Sequence, residues 1–224
     1  KPEYVTVADD KTLRRWDLAT MRLDTCKKLE YGVSRAVAYS PDGAQIVVGF
    51  GRGLNSKNKH DGVFIVLNSL DLGLVYDHEP KIREYPEEWV RAISFSPDGA
   101  RMAVGAEDST ISLYDPTKEY MRLYVVKIHS APITGLDFTD DSTYLRSTDT
   151  AAALHFTDVV SGTNIPSAAV VRDKEWATQT CTIGWHVKGL QFTQQEAEVD
   201  VLSVDRSHDG GSIVSSDTHG RLRL

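Results

Sequence analysis

Apolar and polar residues alternate along most of this chain, and short polar turns break the alternation at recurring places. VRAISFS from Val90 and TISLYD from Thr110 place one apolar residue in two, as a strand with one buried face requires. No segment of about 12 residues keeps a helical apolar period, so helix is expected to be minor. One phrase recurs four times: VSRAVAYSPDGAQIVVGF from Val33, WVRAISFSPDGARMAVGA from Trp89, PITGLDFTDDSTYLRST from Pro132 and VDVLSVDRSHDGGSIVSS from Val199. Each copy reads as strand, turn, strand. The SPDG and SHDG turns supply Pro to fix φ, Asp to accept backbone hydrogen bonds and Gly to tolerate positive φ.

A hairpin cannot bury its own faces, so repeated hairpins must pack on one another. The turn aspartates Asp42, Asp98, Asp141 and Asp209 lie 56, 43 and 68 residues apart. The shortest spacing is about that of a four-stranded propeller repeat, roughly 40–45 residues. The longer two call for insertions, one at 51–62 (GRGLNSKNKHDG) and one between Val171 and Val199. The predicted fold is all-β: a partial β-propeller ring of about five blades of four-stranded antiparallel sheets. EYVTVAD, TLRRWDL and RLDTCKKL give a partial blade at 1–31 that lacks its innermost strand. Blades follow at 32–80, 81–128 and 129–172, then an insertion at 173–191 and a partial blade at 192–224. Such an arc falls short of seven blades. Its open edges are expected to be covered by flanking residues of the same molecule or by a partner copy.

Of the 224 residues, 41% are hydrophobic and 25% are charged, ordinary values for a soluble protein with a substantial core. The net charge of −7 opposes nucleic acid and anionic membranes as partners. No apolar run is long enough to span a membrane, and the N-terminus has no signal-peptide pattern. Two cysteines, Cys26 and Cys181, make neither a disulfide framework nor a zinc site, so the expected compartment is reducing and no metal or cofactor is expected.

Trp16-Asp17 and Tyr114-Asp115 resemble the dipeptide that names WD-repeat propellers. In that family an Asp of the turn between the second and third strands precedes the aromatic by six residues, which Asp10 and Asp108 match. His129 resembles the histidine that opens a blade. The resemblance implies a structural polar network of Asp10, Trp16, Asp108, Tyr114 and His129. The second blade has no such histidine, and the fourth has Thr157 in place of the aromatic. Packing in those two blades is expected to lean on apolar contacts.

DKEWATQTCTIGWHVKGLQ, from Asp173 to Gln191, followed by RSHDG from Arg206, is more specific. It resembles the insertion of the echinoderm microtubule-associated protein-like family, and the likeness extends over roughly Val33 to Leu224. It implies a cytoplasmic, cytoskeletal interaction module that binds tubulin or microtubule-associated partners through propeller loops, without catalysis. The alternative is a generic propeller scaffold, such as a ubiquitin-ligase substrate receptor or a ciliary component. In the family, polymer binding depends on a separate basic coiled-coil part. None of this sequence resembles it, so these residues alone are expected to bind microtubules weakly.

Several residues invite chemistry. His129, Ser147 and Asp149 could form a hydrolase triad. Their equivalents repeat around the ring, whereas a catalytic set occurs once, and no G-x-S-x-G elbow is present. The set therefore reads as blade-linking polar groups, and no enzyme is expected. Cys181 sits in an apolar stretch, CTIGWHV, whose alternation predicts a packed strand and a buried thiol. Arg35 and Arg91 occupy equivalent places near the channel mouth. Either they form an anion-binding rim, or they pair with Glu30, Glu87 or Glu88. Arg52, Lys57 and Lys59 lie on the 51–62 loop, which either touches an acidic surface such as a tubulin tail or is a mobile solvated loop. Trp89, Trp176 and Trp185 are candidates for binding hot spots or for packing between blades.

Overall fold

A computed structural model of the chain describes residues 3–51, 61–78, 88–184, 201–207 and 209–224. Its seventeen named strands form five antiparallel sheets. Sheet I contains β1 (Glu3–Val7), β2 (Thr12–Asp17) and β3 (Arg22–Lys28). Sheet II contains β4 (Val33–Tyr39), β5 (Gln45–Gly51), β6 (Phe64–Asn68) and β7 (Leu74–Asp77). Sheet III contains β8 (Val90–Phe95), β9 (Met102–Ala106), β10 (Ile111–Asp115) and β11 (Met121–Val126). Sheet IV contains β12 (Ile133–Phe138), β13 (Tyr144–Asp149) and β14 (Leu154–Asp158). Sheet V contains β15 (Val201–Arg206), β16 (Ile213–Asp217) and β17 (Leu222–Arg223). Helix among the described residues amounts to two 3-10 turns, Pro116–Lys118 and Ala168–Val171.

The sheets are the blades of a β-propeller. β1 packs against β4, β4 against β8 and β8 against β12. The inner strands β4, β8 and β12 line a channel-side cavity of about 660 Å³. The core lies between sheets, in three layers. Leu13, Ile46, Val48, Phe50, Ile65 and Leu67 fill the first. Val47, Phe64, Val66, Val104 and Tyr114 fill the second, and Ala103, Ile111, Leu113, Leu136, Phe138 and Leu145 the third. Neighbouring residues of β5, and of β9, enter different layers. That is why these strands are apolar on both faces, and each such side chain contributes roughly 1.5–3 kcal/mol by burial.

Close approach between sheets depends on a glycine at the same place in two copies. A Cβ on Gly49 would lie 2.3 Å from Val90 Cγ1, and one on Gly105 would lie 2.5 Å from Ile133 Cγ2. Each glycine receives the first residue of the next sheet's inner strand. The third copy carries Thr148 at this position, and the arrangement there changes.

Sheet IV lacks the expected fourth strand among the described residues. After β14 the chain makes one bridge, Thr157 to Asn164, and then reaches Pro166, which has no N–H for a ladder. Residues 173–184 pack instead along the open edge of β12. Trp176 bridges Thr139, Asp140 N donates to the Glu175 carbonyl, and Ala177 N donates to the Phe138 carbonyl. Cys181 is fully buried, but Cys181 to Gly184 form no strand, contrary to the alternation read from CTIGWHV. Side-chain hydrogen bonds from Gln179 and to Asp137 hold Cys181 in place of a ladder. The rest of that segment, with Trp185, lies outside the described residues.

An ion pair anchors this segment. Arg146 Nε donates to Asp137 Oδ2 at 2.9 Å, with side chains 2% and 0% exposed. The Asp137 carboxylate also accepts from Thr178 Oγ1, Thr180 N and Cys181 N. Arg146 Nη2 donates to Gln179 Oε1 at 2.7 Å, and its guanidinium lies 4.4 Å over the Trp176 ring. Burial alone would push the Asp137 carboxyl up; the Arg146 charge and these donors overcome it and hold the group below its ordinary range.

Removing either partner leaves a buried charge uncompensated. Asp137→Ala and Arg146→Met are each expected to lose about 3–5 kcal/mol in urea unfolding, and the double variant much less than their sum. Trp176→Ala, at a ring 4% exposed, is expected to cost roughly 3–5 kcal/mol by the same measurement. Gly105→Val is expected to destabilise by at least about 1–3 kcal/mol through overpacking against Ile133.

Candidate interaction surface

The inner strand of each copy begins with a β-bulge. Register shifts between Ser34 and Ala36, Val90 and Ala92, Ile133 and Gly135, and Val201 and Ser203. The extra residues are Arg35, Arg91, Thr134 and Leu202. A bulge takes one residue out of the ladder and re-aims its side chain. That is why Arg35 and Arg91 project at the end of the scaffold where the inner strands start.

Both arginines are paired, and among the described residues neither meets Glu30 or Glu88. Arg35 Nη1 lies 2.9 Å from Asp9 Oδ1, in the β1–β2 turn of the neighbouring sheet. Arg91 Nη1 donates to Glu107 Oε2 at 2.8 Å, in the β9–β10 turn of its own sheet. The bulge points each side chain at a turn rather than along its own loop toward Glu30 or Glu88; Glu87 is outside the described residues. Trp89 joins the two sites. Its ring centroid lies 5.3 Å from the Arg35 guanidinium carbon, and its carbonyl accepts from Glu107 N. The indole N–H is buried without a hydrogen-bond partner among the described residues. Gly51, the last residue of β5, abuts both Trp89 and Arg35, since a Cβ there would meet Trp89 Cβ at 2.8 Å and Arg35 Cγ at 3.3 Å. Arg35, Trp89 and Arg91 are thus one cluster at the end of β5. Arg52, Lys57 and Lys59 lie outside the described residues.

The polar residues behind this end form local sets. Asp10 accepts from Thr12 N, Thr12 Oγ1 and Arg14 Nη2 within its own turn. Hydrogen bonds from Arg14 and then Thr12 hold its carboxyl at about 2. Trp16 Nε1 donates instead to Thr6 Oγ1 at 3.0 Å, so Asp10 and Trp16 engage different partners. Asp108 holds Thr110 through its amide and hydroxyl. Tyr114 is fully buried, edge-on to Phe64 and His78.

In sheet IV, His129 Nδ1 lies 2.9 Å from Asp149 Oδ2 and Nε2 lies 2.7 Å from Ser147 Oγ. Sheet IV therefore does not rely on apolar contacts alone, because His, Ser and Asp can link without the missing aromatic. The Thr157 hydroxyl, where that aromatic would stand, is buried with no partner among the described residues. The His129 and Asp149 side chains have no exposed surface, and Ser147 is fully buried. Burial pushes Cys181 well above the ordinary thiol range, with Asp137 adding to the effect, and that thiol is unreactive.

The repeat itself carried a signal for the sheet IV anchor that pattern reading passed over. Where the third copy has Asp137, the first two have Ala38 and Ser94; where it has Arg146, they have Val47 and Ala103. Both breaks fall on facing residues of β12 and β13.

A family model described as the echinoderm microtubule-associated protein second beta-propeller matches residues 1–224. The chain belongs to this family. It is 30% identical over its whole length to echinoderm microtubule-associated protein-like 2 of Mus musculus. It is 29% identical to the ciliary WD repeat-containing protein ctxp80 of Euplotoides octocarinatus, again over its whole length. To the 77 kDa echinoderm microtubule-associated protein of Strongylocentrotus purpuratus it is 29% identical over 99% of its length. It spans 32%, 32% and 30% of those relatives. Within the family's WD-repeat propeller, the bulge places Arg35 and Arg91, and the Asp–Arg pair holds the insertion.

Acid should loosen the His129 set in two stages. Burial first, and then the His155 ring, lower the His129 pKa against the opposing bond from Asp149. The unfolded histidine, near about 6.5, then binds a proton before the folded one does. Stability is full above that pH and falls as pH drops through it. Asp149 is held low, burial being overcome by Ala153 N, His129 and other donors, so its contribution is lost only as pH falls further, through its folded value. Melting temperature measured from about pH 7.5 to 5 is expected to fall less in His129→Gln than in the wild type.

Proposed function

We propose that this chain is a non-catalytic interaction module of the cytoplasmic cytoskeleton that binds tubulin or microtubule-associated protein partners through loops at one end of the propeller. Membership of the echinoderm microtubule-associated protein family is the observation that carries this reading. The mechanism is recognition by side chains held on rigid strand ends, with no bond made or broken. Arg35, Arg91 and Trp89 are the proposed contact residues, together with Arg52, Lys57 and Lys59, which follow Gly51 in the sequence. Their side chains offer cationic and aromatic groups to an acidic partner, and the two arginines are already oriented by Asp9 and Glu107. Pre-orientation lowers the entropy lost on binding. A second reading, as a scaffold within a ciliary assembly, is favoured by the likeness to the ciliary WD-repeat relative.

Capture of purified tubulin by the immobilised chain tests the first reading. Arg35→Gln with Arg91→Gln is expected to reduce capture by at least about five-fold while leaving the melting temperature near that of the wild type. Absence of capture by the wild-type chain would remove tubulin as the partner. Capture unaffected by the double variant would move the contact elsewhere on the scaffold.

A further inference from the structure

We propose that the groove between sheets II and III, at the end opposite Arg35 and Arg91, binds an extended arginine-bearing segment of a partner protein. This does not rest on the tubulin reading, which concerns the other end of the strands. The groove has a volume of about 480 Å³ and is walled by Pro41, Asp42, Phe95, Pro97, Asp98 and Pro116. Its residues come from the same turn in two successive copies, together with the start of the β10–β11 connection. Gln45 also lines it and is fixed in place by a hydrogen bond from the buried Tyr120 hydroxyl.

The two carboxylates are built into the turns by one oxygen each. Asp42 Oδ1 accepts from Ser40 Oγ and Ala44 N, and Asp98 Oδ1 accepts from Ser96 Oγ and Ala100 N. Asp42 Oδ2 takes no hydrogen bond among the described residues, while Ser142 and the Arg101 charge also act on the Asp98 carboxylate. The turns thus hold two carboxylates rigidly, and Asp42 keeps an acceptor oxygen left over. Their acidity supports the charged state: hydrogen bonds from Ser40 and Ala44 lower Asp42, and in Asp98 bonds from Ser96, Ala100 and Ser142 together with the Arg101 charge overcome its burial. Arg101, whose charge also acts on Asp98, and Lys118 lie against Asp115, at 3.8 and 3.1 Å.

Between the carboxylates lie three proline rings and the half-buried ring of Phe95. A planar guanidinium on an apolar stem matches this pairing. The stem packs on proline, the plane lies on the aromatic ring, and the N–H fork reaches a carboxylate. Charge complementarity favours a basic segment over an acidic one. The same end also carries the turn aspartates Asp17, Asp71 and Asp158, and the turn aspartate Asp141, already engaged by Lys174. A bound metal ion is a poorer match, since no cluster of metal-ligating side chains occurs among the described residues.

The test is fluorescence anisotropy with fluorescein-labelled peptides of alternating Arg-Gly, Lys-Gly and Glu-Gly sequence, at near-physiological salt. Asp42→Asn with Asp98→Asn keeps Oδ1 as an acceptor and is expected to weaken Arg-Gly binding about ten-fold. Asp140→Asn with Glu175→Gln makes the same charge change outside the groove and is expected to weaken it less than about two-fold. The wild type should prefer Arg-Gly over Lys-Gly by at least about three-fold, and Phe95→Leu should erase that preference. Equal losses in the two double variants would reduce the effect to general charge attraction and overturn the proposal. So would preference for Glu-Gly, or no binding by the wild type. Should the groove double variant lose its cooperative melt, the single variants carry the same comparison.

Discussion

The arrangement of this protein depends on how closely one sheet's inner strand seats against the sheet before it. Val90 and Ile133 occupy space that a side chain at Gly49 or Gly105 would fill. This contact lets β5 and β9 be apolar on both faces, because sheets cover them from two sides. It also sets where the inner strands begin. At that point the strand carries one residue too many for the ladder, and the bulge puts Arg35 and Arg91 at the rim.

The third copy departs from this rule, and the departure is chemically coherent. Thr148 replaces the glycine, Asp137 and Arg146 replace small or apolar residues, and residues 173–184 take up the edge of β12. Here a polar latch does what apolar interdigitation does elsewhere. A buried ion pair contributes little against a well-packed apolar core, but it is specific. Asp137 collects donors from Thr178, Thr180 and Cys181 in addition to Arg146, so only one placement of the segment satisfies it.

The two ends of the strands differ in chemical character for local reasons. At one end, bulged arginines are held by turn carboxylates beside Trp89 and the end of β5 at Gly51. At the other, the turns that reverse each inner strand need an aspartate for their own hydrogen bonds, and each repeats the negative charge. A scaffold of repeated turns thus becomes a surface whose two ends differ, joined by packed sheets. The His129, Ser147 and Asp149 set belongs to the rigid part. It has triad-like distances, but its histidine and aspartate are sealed from solvent and it links a loop to a strand.

Period-two alternation and the four recurring turns determined the strands, the antiparallel hairpins and their assembly as a propeller, because those follow from local geometry and from hairpins that cannot bury themselves alone. The insertion beginning at Asp173 was legible as distinctive for its tryptophans and cysteine among polar residues, and Trp176 and Cys181 are indeed buried. Its conformation was not legible. Alternation in CTIGWHV pointed to a strand, whereas side-chain bonds to Asp137, more than 40 residues away in sequence, hold Thr180 and Cys181 without a ladder. The lack of a fourth strand in sheet IV among the described residues was foreshadowed only by Pro166. The carboxylates that hold Arg35 and Arg91 were decided by the tertiary structure alone. Sequence equivalence gives both arginines the same bulge, but one faces the neighbouring sheet's turn and the other its own, and that choice depends on which turn each bulge meets once the sheets have packed.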